Sequence, residues 1–248
     1  MRLTLSRRLA TASTVAITAA AVAFAGTPAN AAPASTDSKV KASAIGATRV
    51  TVAHSLMTKY SSTIYANARV SYGLPSGAYL SSATAELWIG GKKRTTIKMP
   101  TYDSNYVNLP RSAGAGAAKL RNIRAAGYYY DANYNRVNFT LAPAASNLFN
   151  IRRTIDSSAV LKLRKSGSKI RVSGSKWRAI QPNGRWARVS QVLVQKKSGR
   201  KWKTIKKVRP KSNGSFKFTY RSSKRANYRA LVKTTTSLQG GATRNVKI

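Results

Sequence analysis

Apolar and polar residues alternate along most of this chain in short runs broken by turn residues. The second half shows it best. Leu161 and Leu163 alternate with Lys162 and Arg164, Ser166-Gly167-Ser168 turns the chain, and Ile170 and Val172 alternate with Arg171. After a polar loop holding Pro182-Asn183-Gly184, Val192 and Val194 begin another run, Ser198-Gly199 turns it, and Trp202 to Val208 returns. Asn213-Gly214 is a hairpin signal. Phe216, Phe218 and Tyr220 alternate after it, then Tyr228, Ala230 and Val232, then Arg244, Val246 and Ile248. A period of two means strands with one buried face.

Within "VLVQKKSGRKWKTIKKV" the pattern predicts a hairpin with Lys196, Lys197, Arg200 and Lys201 at its tip. Lys203 and Lys207 face outward if Trp202 points inward. Trp202, Ile205 and Val208 are spaced by three, so strict alternation cannot bury all of them, and a β-bulge near Thr204 would reconcile them. About seven strands in about 92 residues is the count and size of an immunoglobulin-like sandwich.

The first half repeats the logic. Val50 and Val52 start a strand, and Ile64, Ala66, Ala68, Val70 and Tyr72 form a long one. "ATAELWIGGKKRTTIKM" reads as a hairpin turning at Gly90-Gly91. Leu120 to Ile123 lead into "YYYDANYNRVNFTL", which turns at Asp131 to Asn135, and Phe149 and Ile151 sit in a last strand. The expected fold class is all-β, with two immunoglobulin-like β-sandwich domains in tandem, 47–153 and 159–248, joined by a linker at 154–158.

The start of the chain is different. Arg2, Arg7 and Arg8 precede an uncharged Ala- and Val-rich stretch from Leu9 to Ala25, and Ala29-Asn30-Ala31 fits a small-x-small cleavage site. This is the pattern of a secretory signal peptide over 1–31. Residues 32–46 read as a flexible polar lead-in. No later stretch approaches a transmembrane span. The expected location is secreted, extracellular or cell-wall associated.

Charge changes the picture most. The 248 residues carry 45 Lys and Arg against 5 Asp and Glu, a formal +40. From Ser157 to the end there are 26 basic residues and no acid. Such charge repels itself and pulls on polyanions at long range. With 42% hydrophobic residues and four Trp set among periodic runs, the chain is not composed like a disordered one. It has no Cys, so neither disulfides nor Cys-based metal sites can form.

In the second half, "SGSKIRVSGS", the Gln-Lys-Lys-Ser-Gly-Arg-Lys-Trp hairpin, "SNGSFKFTY" and "NYRALV" resemble the immunoglobulin-like repeats common in secreted proteins of actinobacteria. The resemblance covers about 158–248 well and the first half loosely. It implies a fold and a location, and an accessory or binding module rather than an activity. The complete lack of acids in that region departs from ordinary members.

Catalytic chemistry has little to draw on. His54 is the only histidine and stands just after a strand without a nucleophile signature. Glu86 lies inside a strand, paired with Lys or exposed, and the Asp residues are scattered, so no carboxylate pair is set up for glycoside hydrolysis. "DANYN" echoes a calcium loop but lacks its Gly and closing Glu. "GAGAA" at 114–118 lacks the Lys of a nucleotide loop. We therefore expect a non-enzymatic protein with no cofactor and no metal. Its partners are anionic polymers: phosphates of the cell wall, or alternatively nucleic acid outside the cell. Lys196, Lys197, Arg200, Lys201, Lys203 and Lys207 are the expected polyanion contacts. The loop "WRAIQPNGRW" adds a second candidate, with Trp177 and Trp186 as stacking groups and Arg178, Arg185 and Arg188 as charges.

Overall fold

The computed structural model describes residues 46–248. The expected signal peptide lies outside them, as does the lead-in apart from Gly46. The described residues are almost entirely strand and turn. One 3-10 turn, Arg111–Ala113, interrupts them. No helix among them is long and apolar enough to cross a membrane.

The first half has nine strands: β1 (Arg49–Val52), β2 (Ser55–Met57), β3 (Thr63–Ser71), β4 (Ala78–Ile89), β5 (Lys92–Lys98), β6 (Ser104–Pro110), β7 (Gly116–Tyr130), β8 (Arg136–Thr140) and β9 (Phe149–Arg153). Strands β1-β3-β6 form one sheet. A second runs β2-β9-β7-β4-β5, with β8 also on β7. Apolar residues of both sheets meet in one core, where Met57, Tyr72, Leu87, Leu109, Leu120, Phe149 and Ile151 are fully buried. Each contributes about 1.5–3 kcal/mol by leaving water.

The long β7 stays in this core through a bulge. Pairing with β4 slips between Thr84 and Glu86, and Asn122 takes a left-handed φ of 48°. The extra residue lets Leu120 and Ile123, three apart, both be buried. The Gly90-Gly91 hairpin forms as the pattern predicts, with φ of 60° and 78°. These are the angles a two-residue turn needs and that Gly adopts freely.

The second half has ten strands: β10 (Val160–Ser166), β11 (Lys169–Ser175), β12 (Arg178–Ile180), β13 (Trp186–Arg188), β14 (Val192–Ser198), β15 (Lys201–Val208), β16 (Phe216–Arg221), β17 (Asn227–Val232), β18 (Gly241–Ala242) and β19 (Val246–Lys247). Sheet β10-β11-β16 and sheet β15-β14-β17-β18, with β19 also on β17, share a core of Ile170, Val172, Trp177, Val192, Val194, Phe216, Tyr228 and Ala230.

Two sequence expectations change here. Asn213-Gly214 does not join a hairpin. Its turn carries the chain from β15 in one sheet to β16 in the other, and β16 pairs with β11. A tight turn fixes direction locally, but the partner strand is chosen by the core. The β15 bulge is present, since Val194 pairs with Lys206 and Gln195 with Thr204, leaving Ile205 extra. It turns Ile205 and Val208 toward the core. Trp202 is left out: it pairs with Lys197, on the same sheet face as Gln195 and Leu193 and opposite to Val194.

Residues 154–158, expected as a linker, are tied to both halves. The Thr154 hydroxyl donates to the Met57 carbonyl at 2.9 Å, and the Ile180 N–H donates to the Thr154 carbonyl at 3.1 Å. Asp156 N–H donates to the Arg178 carbonyl at 2.9 Å. The Arg111 guanidinium spans the junction, donating to the carbonyls of Lys59 (2.9 Å), Ser61 (2.8 Å) and Pro182 (3.2 Å).

Candidate anion-binding face

Strands β10, β11 and β16 read VLKLRKS, KIRVSGS and FKFTYR, alternating apolar and polar positions from Leu161 onward except at Lys165, which stands opposite Ile170. Leu161, Ile170, Val172 and Phe216 enter the core. The alternate residues therefore face solvent together. Pairing lines them up in rows: Lys162 with Ser173 and Lys217, Arg164 with Arg171 and Thr219, Ser166 with Lys169 and Arg221. Six of these nine residues are cationic and none is acidic. Arg164, Ser166, Lys169, Arg171 and Thr219, together with Lys165, line an open concavity of about 460 Å³.

Two rows place cations directly across from one another, Arg164 against Arg171 and Lys169 against Arg221. Like charges in such pairs destabilise a sheet by a few tenths to about 1 kcal/mol each. Among the described residues no acid is ion-paired with them. The two ion pairs among the described residues, Lys93–Glu86 and Arg178–Asp156, both at 2.6 Å, lie elsewhere.

The six hairpin cations are not brought to one surface. Lys197 and Lys207 share the outer sheet face with Trp202. Lys196 and Lys203 pair on the opposite face, contrary to the outward placement expected for Lys203. The Lys196 ammonium donates to the Ser222 hydroxyl at 2.9 Å. Arg200 and Lys201 are exposed at the Gly199 turn.

The second candidate loop is brought together only in part: Arg178 pairs with Arg188 across β12 and β13, and its guanidinium lies 5.6 Å from the Trp186 ring centre. Trp177 is 2% exposed, and its indole N–H donates to the Val160 carbonyl at 3.0 Å, so it offers no face to a ligand. Trp186, paired with Ile180, packs against the first-half core. Arg178 is held by Asp156. Arg188 donates to the Pro210 carbonyl at 3.3 Å. Arg185 is exposed. The hairpin of β12 and β13 thus joins the two halves instead of displaying aromatics.

The described acids are engaged in the fold at separate places. Glu86 accepts from Lys93 (2.6 Å), Trp88 (3.0 Å) and Asn122 (2.9 Å), and these hydrogen bonds, that of Lys93 foremost, hold its carboxyl below the usual glutamate range. Asp103 accepts from the Tyr72 N–H and the Ser71 hydroxyl. Asp131 accepts from the Asn133 and Asn135 N–H groups inside its turn. The exposed His54 accepts the Asn150 N–H at Nδ1, 3.0 Å away. Among the described residues no three His, Asp or Glu are grouped to hold a metal.

One feature escaped the sequence reading. Tyr79 and Tyr128 pair across β4 and β7 with ring centroids 5.7 Å apart, Tyr130 meets Tyr128 edge-on at 5.8 Å, and Arg136 lies over Tyr128 at 4.1 Å. Tyr79 and Tyr130 are 57% and 49% exposed. The signal was the Tyr-Tyr-Tyr run, whose outer members share a face.

No family model matches the chain, and no curated protein matches it. A solved structure to which it is similar is the β-glucuronidase of Parabacteroides merdae, at 12% identity and a TM-score of 0.22, over 82% of this chain and 25% of that one. The chain spans about a quarter of that protein, and a likeness this slight carries no argument.

Proposed function

We propose that this chain is an exported, non-enzymatic binding protein of two tandem immunoglobulin-like sandwiches, which adheres to anionic polymers of the cell envelope through their phosphate groups. The carrying observation is the acid-free cationic face of β10-β11-β16. Four of its six charges stand directly opposite a like charge, where repulsion costs stability, an arrangement that a polyanion would relieve. Same-face residues repeat about every 6.6–6.8 Å along a strand, and neighbouring strands lie about 4.8 Å apart. An extended polyphosphate chain therefore meets cations in either direction across the grid. Each contact gains by counterion release rather than by shape. Export rests on the N-terminal sequence pattern.

The test compares two charge-matched quadruple variants against a glycerol-phosphate polymer over a salt series. One changes Arg164, Lys169, Arg171 and Arg221 to Gln. The other changes Lys196, Lys197, Arg200 and Lys201 to Gln. The first should lower the slope of log affinity against log salt by about three units, since each phosphate contact contributes roughly 0.7–0.9. The second should lower it less. Equal slopes in both variants and the wild type would remove the sheet face from the function. Tighter binding to single-stranded DNA than to the polymer would replace the envelope reading with a nucleic-acid one.

A further inference from the structure

The outer face of β15-β14-β17, on the other layer of the second half, holds a small polar cluster like one in the first half, with Gln in place of Glu and with the Trp and Lys exchanged between the two hairpin strands. In the first half Glu86 stands between Arg121 and Thr96 in the pairing, and the Arg121 guanidinium lies over the Trp88 ring at 4.6 Å. In the second half Gln195 stands between Arg229 and Thr204, and the Arg229 guanidinium lies over the Trp202 ring at 4.3 Å. The same trio, Arg, a five-atom carboxyl or amide chain and Thr, is crossed by the same Arg–indole stack. Glu86 brings a carboxylate to its cluster. Gln195 is the neutral isostere.

The replacement leaves a positive charge fixed in place with no counter-charge. Gln195 is 8% exposed, and its carbonyl accepts from Arg229 Nε at 2.8 Å. Its amide donates to the Thr204 hydroxyl at 3.3 Å, which sets the amide's orientation. One guanidinium face is taken by Trp202. One of five donors is spent on Gln195, and the four Nη N–H donors take no hydrogen bond among the described residues. Lys197 shares this face, two residues along β14 from Gln195.

We propose that Arg229, positioned by Gln195 and Trp202, is a phosphodiester seat that supplements the sheet face on the opposite layer; this rests on the polyanion reading above. A diester group presents two unesterified oxygens, and the planar Nη fork can take both at once. The stacked, hydrogen-bonded guanidinium has already lost much of its rotamer freedom, so binding costs less ordering. In the first half the Glu86 carboxylate is ion-paired with Lys93 at 2.6 Å and stands beside Arg121 in the register, a negative charge that the second-half cluster lacks.

The experiment uses the full chain and a glycerol-phosphate oligomer, with three variants. Arg229→Lys keeps the charge but loses the fork. Gln195→Glu restores the carboxylate seen in the first half. Asn183→Asp makes the same isosteric charge change in a distant turn. Arg229→Lys should weaken binding roughly tenfold with an unchanged salt slope, the loss expected for a charge-assisted hydrogen-bond pair. Gln195→Glu should weaken it at least as much, and Asn183→Asp by less than about twofold, the change expected from distant, screened charge. Melting curves confirm folding, and Arg229→Lys is the conservative variant should Gln195→Glu unfold. Affinity of Arg229→Lys within twofold of wild type, or equal losses from the two charge-matched variants, overturns the seat while the wider reading stands. Failure of the wild type to bind the oligomer overturns both.

Discussion

At the scale of single residues, the scarce acids are spent on folding, and Asp156 shows how. Burial alone would raise its pKa. The Ser158 hydroxyl at 2.6 Å, the Arg178 guanidinium at 2.6 Å and the Ser158 N–H at 3.0 Å outweigh that and leave it below the usual aspartate value. A depressed folded pKa contributes stability above the unfolded value, near 3.9, and loses it as pH falls through the folded pKa. Asp156→Asn should cost about 1–3 kcal/mol at pH 7, because the half-buried Arg178 loses its partner. In denaturant titrations the gap between variant and wild type should close below about pH 4; a gap unchanged at pH 3 would refute the assignment. Tyr72 has the opposite sign. Burial, then the Asp103 charge, pushes its phenol up to about 12. The raised pKa keeps the proton in the fold, so stability holds below about pH 10, the unfolded value, and declines as pH rises toward the folded one. Tyr72→Phe should flatten that alkaline decline. Trp177 was the residue hardest to place from sequence. A Trp beside a polar loop looks like a displayed ring, and only the packing of Phe216, at 6.4 Å, and the Val160 carbonyl make it core.

At the scale of elements, what was local was legible. The β4–β5 and β14–β15 hairpins follow from alternation and Gly turns, and the β15 bulge follows from a spacing of three. What depended on pairing was not legible. The charged positions of β10, β11 and β16 alternate visibly in sequence, and the Gly167-Ser168 turn sets β10 against β11, but nothing local says that β16 lies beside β11 or that Lys169 faces Arg221. Asn213-Gly214 misled for the same reason, as a turn does not name its sheet. The pairing yields a prediction with opposite effects on stability and binding. Arg164→Thr replaces a like-charge pair by a β-favouring neutral residue. It should stabilise the fold by roughly 0.2–1 kcal/mol in denaturant melts, while weakening the phosphate polymer's binding at low salt. A destabilised Arg164→Thr would mean that the two guanidinium groups stack or share a hidden partner rather than repel. The gain in stability with loss of binding is the pattern expected where charge is kept for function at the expense of the fold.

At the scale of the whole molecule, the described residues bury two apolar clusters, and the junction between them was not legible in the repeated strand patterns. Ile180 and Trp186 come from the second half in sequence and pack with the first-half core. The hydrogen bond from Arg111 to the Pro182 carbonyl crosses the same junction between residues 71 positions apart, which no local pattern encodes. Charge dominates the energetics at this scale. A chain at +40 has few internal attractions for salt to weaken, only two ion pairs among the described residues, and many repulsions for it to relieve. Raising ionic strength from 0.01 M to 0.15 M shortens the screening length from about 30 Å to about 8 Å, so repulsion across the basic half fades while contacts within the cores are untouched. Tm should therefore rise with sodium chloride, by roughly 2–8 °C if the relief is on the order of 1–2 kcal/mol. A glycerol-phosphate polymer added at low salt should raise Tm further than sodium chloride at the same ionic strength, because specific binding to the folded state adds RT ln(1 + [L]/Kd) to screening. The increment should shrink in the Arg164, Lys169, Arg171 and Arg221 variant. A Tm that stays flat or falls as salt rises would show that the positive charges are already neutralised within the folded chain, and the free cationic face on which polymer binding depends would not exist.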